Sequence, residues 1–209
     1  MKIIEIRKRK KSLLAVYFDG GRVCDIDEPV LIDKNTFFDF GYAAGDSISN
    51  EDLEALIAKS YENRAKEKGL WLISKKDYTK KQLYDKIRKD TTDEAAAAAI
   101  ERLSNVGLIN DERYARRYAA DLINIKKLSK RAAMYELALK GVEKELAQEV
   151  VDEMEIENED TLRQLIERKY IDSLDDEKML KRMYNALIRK GYGYSEIKTV
   201  IREINEEII

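Results

Sequence analysis

The spacing of apolar residues changes once along the chain. Over residues 1–49 they fall in short runs, at 3–7, 13–18, 22–26 and 30–32, rich in β-branched and aromatic side chains and separated by turn-forming residues. Asp19-Gly20-Gly21 suits a hairpin turn, because glycine reaches positive φ without steric cost. This pattern predicts a small antiparallel sheet of three strands, too small to stand unless it packs on something. From Ser49 onward apolar residues recur at three- and four-residue spacing and no proline follows Pro29. The punctuation is helical. Thr79 with Gln82 forms a capping box, Ser129 and Ser195 are N-cap candidates, and Gly107, Gly141 and Gly191 stand where helices should end. Nine helices are predicted, near 51–73, 79–89, 93–106, 111–126, 129–140, 143–154, 159–171, 175–190 and 195–207.

The helical part repeats with a period of 50 residues, which places Leu83, Ala133 and Met183 in one column and Ile87, Leu137 and Leu187 in another. Tyr84, Met134 and Tyr184 fall between them, and the basic residues Lys81, Arg131 and Lys181 also align. With one residue inserted in the first copy, Ile100 meets Val151 and Ile201, and Leu103 meets Met154 and Ile204. The predicted fold is therefore mainly α: three tandem three-helix repeats forming an elongated curved array, preceded by a small antiparallel β-sheet. The expected boundaries are a sheet region at 1–49 and repeats at 50–109, 110–157 and 158–209.

Composition narrows the chemistry. With no histidine, one cysteine and nine glycines in 209 residues, the usual materials of metal sites, catalytic triads and phosphate loops are missing. Neither a catalytic residue, a metal nor a cofactor is expected. Asp175 with Asp176 and Asp111 with Glu112 lie at predicted helix starts, where carboxylates meet the positive end of the helix dipole. Cys24, with no histidine to activate it, reads as a small hydrophobe. Gly191 to Ser195 lacks both a preceding strand and Walker spacing, so a helix-helix turn is expected there. Tyr84 and Tyr184 sit beside apolar columns and Tyr114 and Tyr118 share one helix face, which suits packing better than base stacking, while Tyr170, Tyr192 and Tyr194 are less constrained. The lone cysteine and the absence of a long apolar run point to a cytoplasmic protein without a membrane span, and a monomer is expected.

Net charge is only -2, so any polyanion contact needs local segregation of charge. The middle repeat has it. Arg113, Arg116, Arg117, Lys126, Lys127, Lys130 and Arg131 lie in one stretch with Asp121 as its only acid, and Glu155, Glu157, Glu159 and Asp160 follow. Those seven cations are the candidate partner-binding residues, set against the plainer reading of a solvated charged face. A second run, residues 7–11, joins two predicted strands and suits a solubilising turn.

Five fragments in order carry a family resemblance: VYFDGGRVCDI, the AGDSIS entry to the first helix, LISKKDYTKKQLYDKI, IERLSNVGLINDERYARRYAADL and ELALKGVEKELAQEVV. With these the chain resembles the RecX family, regulators of the RecA recombinase, over nearly its whole length. The sequence departs from the family in two places. The stretch from Lys126 to Arg131 lacks the glycines often found there, and Lys89-Asp90-Thr91-Thr92 replaces a Lys-Gly helix end. The resemblance implies a protein without chemistry of its own that lies in the helical groove of a RecA filament on single-stranded DNA. It also implies modulation, most simply inhibition, of recombinase, ATPase and coprotease activity, in DNA repair, homologous recombination and the SOS response. Weak contact with single- or double-stranded DNA is a secondary expectation. Two other readings stand beside it. One is direct DNA binding by the helical repeats, which the sequence pI of about 5.6 disfavours. The other is a helical-repeat adaptor for another protein.

Overall fold

The computed structural model describes residues 1–9, 12–19, 28–155, 157–174 and 176–208. Cys24, the strand expected at 22–26, Gly20 and Gly21 of the hairpin turn, and Asp175 lie outside the described residues. The chain forms two compact units, Met1–Ile109 and Asn110–Ile209.

The first unit opens with β1 (Ile3–Lys8), β2 (Leu13–Phe18) and β3 (Val30–Asp33), an antiparallel sheet in the order β1-β2-β3. Ile6 faces Val16, and Val16 faces Val30. Leu14, Ala15 and Val16 on the central strand are all buried. Asp33 ends β3 and caps a short helix, α1 (Lys34–Asp39), its carboxylate accepting from the backbone N and the Oγ1 of Thr36, both at 3.0 Å. The sequence pattern did not predict α1, since six residues are too few to show a helical period. The sheet finds its support on α2 (Asn50–Ile73), whose Leu53 and Leu56 share a core with Ile3, Leu14, Val16, Phe18, Ile32 and Phe37. Ser60 of α2 ties this joint, its Oγ accepting from Asp33 N at 2.7 Å.

The second half of α2 belongs to the first three-helix unit, with α3 (Lys80–Ile87) and α4 (Asp93–Asn105). The expected Thr79–Gln82 capping box opens α3. Where the Lys-Gly helix end is missing, the Thr91 hydroxyl donates to the Ile87 carbonyl at 3.0 Å and Thr92 caps α4. The second unit contains α5 (Asp111–Ala120), α6 (Lys130–Leu139) and α7 (Lys144–Asp152), then α8 (Asn158–Lys169), α9 (Glu177–Arg189) and α10 (Tyr194–Ile208).

The 50-residue columns are packing columns. Leu83, Ala133 and Met183 are buried, as are Ile87, Leu137 and Leu187. Tyr84, Met134 and Tyr184 each lie against the core of their own three-helix unit. Lys81, Arg131 and Lys181 are exposed. Each copy therefore buries its own apolar seam, as a helical repeat must.

Two local expectations need correction, and the described members of the acidic pairs stand at helix starts as expected. The helix expected at 111–126 is α-helical only to Ala120 and continues as a π turn, Asp121–Ile125, with Lys126 N donating to Asp121 O at 3.0 Å. Ser195 does not cap the last helix. That helix starts at Tyr194, and Glu196 reaches back to accept from Gly193 N at 2.5 Å. Of the acidic pair at 175–176, Asp176 caps α9, accepting from Met179 N at 2.7 Å. Asp111 and Glu112 occupy the first turn of α5 behind the cap Asn110.

Candidate functional site

The seven candidate cations occupy two settings: the exposed side of α5, and a seam between the second and third three-helix units. On α5, Arg113 and Arg116 are exposed. Arg116 is committed within its own repeat, reaching Glu112 one turn back at 3.0 Å and Glu153 just beyond α7. Hydrogen bonds to Glu153 first and Glu112 second raise the Arg116 pKa, and the same guanidinium lowers that of Glu153. This clasp joins the first and third helices of the repeat, but its exposure limits its contribution to stability. Arg117 is exposed on the same helix.

The seam is built by the turn that leads from the π segment into α6. Many helices end on a left-handed residue, and here that residue is Lys127, at φ 54°. It stands in the glycine-poor stretch noted in the sequence, so a lysine adopts the backbone that glycine usually supplies. The opened turn presents its backbone to the α9–α10 corner. The Lys190 ammonium donates to the Lys126 carbonyl, and the Tyr192 hydroxyl donates to the Lys127 carbonyl at 3.2 Å. Ser129 N donates to the Lys190 carbonyl at 3.0 Å, and Lys130 N donates to Asn158 Oδ1 of α8 at 2.8 Å.

Gly191 is the pivot of this contact. Its φ is +93°, and a Cβ there would fall 2.4 Å from Ser129 Oγ and 2.5 Å from Ala132 Cβ. Ser129 cannot yield easily, because its Oγ caps α6 by accepting from Ala132 N at 3.2 Å. Tyr192, next in sequence, is only 1% exposed. Burial, assisted by Glu196, pushes its hydroxyl up to about 12. Burial and the nearby Lys169 lower the pKa of Lys190.

Of the seven side chains, Arg131 donates across the seam to the Gly191 carbonyl at 3.2 Å, which leaves its charge uncompensated by that contact. Lys130 reaches Glu157 at 3.5 Å. Lys126 lies 5.7 Å over the Tyr118 ring, shared on that ring with Lys140 at 5.8 Å. The structure thus gathers Lys126, Lys127, Lys130 and Arg131 at one junction, with the α5 arginines on a separate helix of the same repeat. Sequence reasoning missed Lys190 and Tyr192, which complete the junction from 60-odd residues away. The 50-residue repeat was the available signal, since Lys190-Gly191 aligns with Lys140-Gly141.

Beside the seam lies a cavity of about 470 Å³ lined by Glu157, Glu159, Leu162, Tyr192, Glu196 and Val200, so the basic junction has an acidic flank. Among the described residues, no group of three or more Cys, Asp or Glu side chains is placed to hold a metal ion. Among the same residues, no helix is long and apolar enough to cross a membrane. A preorganised set of cations on a pinned backbone is suited to recognition of a negatively charged surface.

Comparison with known proteins agrees with this repeat organisation. A family model for the second three-helix domain of RecX matches residues 110–151, and one for the third three-helix domain matches 155–201. A Regulatory protein RecX from Caldanaerobacter subterraneus is 30% identical over 185 residues, which cover 86% of this chain and 89% of the relative. One from Clostridium botulinum (strain Eklund 17B / Type B) is 28% identical over 212 residues, covering 98% and 96%. One from Streptomyces lividans is 36% identical over 142 residues, covering 66% and 76%. Among solved structures, one titled as the crystal structure of regulatory protein RecX superposes with a TM-score of 0.62 at 18% identity, over 96% of this chain and 98% of that one. The RecX structure from Lactobacillus salivarius gives 0.58 at 21% identity, over 70% and 98%.

Proposed function

The chain belongs to the RecX family of regulatory proteins, and we propose that it binds the RecA filament on single-stranded DNA and inhibits its recombinase, ATPase and coprotease activities. It does so by occupancy alone, without chemistry of its own. Its contact surface is the basic face of the second three-helix unit: Arg113, Arg116 and Arg117 on α5, and Lys126, Lys127, Lys130 and Arg131 at the seam. The domains that act are the sheet region, 1–49, and the repeats at 50–109, 110–157 and 158–209. The protein works as a cytoplasmic monomer.

One observation carries this reading beyond family membership. The backbone of residues 126–130 is fixed to the third repeat through the two lysine carbonyls and the amides of Ser129 and Lys130. Cations on a pinned backbone lose little further freedom on binding, which favours affinity for a partner of opposite charge. A merely solvated charged face has no need of such anchoring.

The test is ATP hydrolysis by the cognate RecA on single-stranded DNA, measured with increasing amounts of this protein. Hydrolysis should fall to a plateau, and the protein alone should hydrolyse nothing. An undiminished rate at saturating protein would remove the inhibitory reading, and turnover without RecA would remove the non-catalytic one.

A further inference from the structure

The strongest segregation of positive charge in the chain is in the first unit. Residues 64–89 hold ten Lys and Arg against three acids, a net +7, while the other 183 residues sum to -9. Folding gathers part of this segment on one side. Arg64, Lys68, Trp71 and Lys75 follow one another at spacings of four, three and four along the end of α2 and the turn after it, the period of a single helix face. Lys68 donates to Asp90 at 2.6 Å and to the Lys86 carbonyl, and Arg64 donates to the Asp90 carbonyl at 2.8 Å. Those bonds bring the end of α3 alongside that face.

Aromatic rings alternate with the cations. Lys75 lies 6.0 Å over Trp71, while Lys76 and Lys86 lie 4.9 and 5.6 Å from the Tyr78 ring. Trp71 is 61% exposed, an unusual setting for so large an apolar ring. Among the described residues, Lys75, Lys76 and Lys86 approach these rings and make no ion pair within 4.0 Å, so their charges remain available.

We infer that this face of the first three-helix unit is a binding surface for single-stranded nucleic acid. The cations meet phosphates, and Trp71 stacks on an unpaired base. Both halves of the surface then have a partner: a polyanion screens the +7 segment, and a base offers the flat π face that an exposed indole lacks. An acidic protein segment would satisfy the cations and leave the indole in water. A duplex would do the same, because its bases are already stacked on one another. The inference concerns the first unit and the protein alone, so it stands or falls separately from the filament reading.

The experiment uses the full chain without RecA, titrated with a 20-nucleotide oligothymidylate while the emission of Trp71 is followed. Trp71 is the sole tryptophan, so the signal reports this face. Saturable quenching is expected at low salt. For about four phosphates neutralised, the slope of log affinity against log salt should be about -3. By anisotropy of a labelled oligonucleotide, Trp71→Ala should weaken binding about tenfold. Lys75→Glu with Lys76→Glu should weaken it at least as much and make the slope shallower by about 1.4. All three side chains are exposed, so circular dichroism should be unchanged. Charge reversals on the second unit should leave the quenching intact. The inference is overturned by unquenched Trp71 emission at low salt, by wild-type affinity in Trp71→Ala, or by polyglutamate quenching the emission as strongly as the oligonucleotide does.

Discussion

Replacing Gly191 with alanine should loosen the joint between the second and third repeats and cost far more than the same change at Gly107. Two penalties combine at Gly191. The residue sits at φ +93°, where an L side chain costs about 1–2 kcal/mol, partly offset by the reduced entropy of the unfolded chain, about 0.4–1 kcal/mol. The new Cβ would also lie 2.4 Å from Ser129 Oγ and 2.5 Å from Ala132 Cβ, contacts that no real side chain makes. Overpacking of this kind costs about 1–3 kcal/mol. The net loss is about 2–4 kcal/mol, which for a unit of this size lowers the melting midpoint by about 10–20 °C. Gly107→Ala is the matched control. Its φ is +73° and nothing lies within 4 Å of its would-be Cβ, so it should lose only about 1 kcal/mol. Urea melts followed by circular dichroism measure both variants, and hydrogen exchange over residues 126–132 locates the damage. Faster exchange there is expected in Gly191→Ala and not in Gly107→Ala. Equal losses in the two variants would show that backbone strain is the whole effect, and would refute the close seam.

Two other outcomes follow from the same junction. Lys127→Gly removes a left-handed lysine at φ 54° and should stabilise the second unit by about 0.5–1 kcal/mol, a rise in urea midpoint with unchanged slope; a fall would mean that the lysine side chain contributes more than its backbone costs. The Tyr192 hydroxyl, ordinarily near 10, is held at about 12 in the folded state, so the unfolded chain ionises first as pH rises. Its contribution is complete below pH 10 and is lost as pH climbs toward 12. Urea midpoints across that window should therefore drop, and Tyr192→Phe should flatten the drop while itself losing about 0.5–1.5 kcal/mol at neutral pH from the missing bond to Lys127.

Periodicity carried the helices well because each repeat buries its own seam. Ile87, Leu137 and Leu187, equivalent in the 50-residue register, are all fully buried. Caps that depend on one local side chain, Thr79 and Ser129, were also legible. What escaped depends on contacts distant in sequence or on backbone states that several residue types can adopt. Lys127 takes a left-handed turn that composition would assign to glycine, and Glu196 acts where Ser195 was expected to cap. The seven cations were visible as a charge run, but their division between an arginine clasp on α5 and a pinned turn was not. Arg116 spends its charge on Glu112 and Glu153, and Lys130 faces Glu157 from across the seam. Reversing Arg116, Lys130 and Arg131 would therefore disturb the fold as well as any contact. The net +7 of residues 64–89 needed only a sliding charge count.

The most direct test of the filament reading is equilibrium binding of the protein to cognate RecA assembled on single-stranded DNA with nucleotide, across a salt series. The informative variant is Arg113→Glu with Lys126→Glu and Lys127→Glu, because none of those three side chains makes an ion pair that holds the second unit together. Its melting midpoint should stay within about 5 °C of wild type, since Arg113 and Lys126 are exposed, Lys127 is half-buried without an ion pair among the described residues, and such surface charges contribute only about 0 to 1 kcal/mol. Filament affinity should fall at least tenfold, and what remains should depend less on salt, because fewer cations are there to be screened over the Debye length of about 8 Å at physiological ionic strength. Binding at wild-type strength in low salt by the folded variant would contradict the account and take the contact surface away from the second repeat.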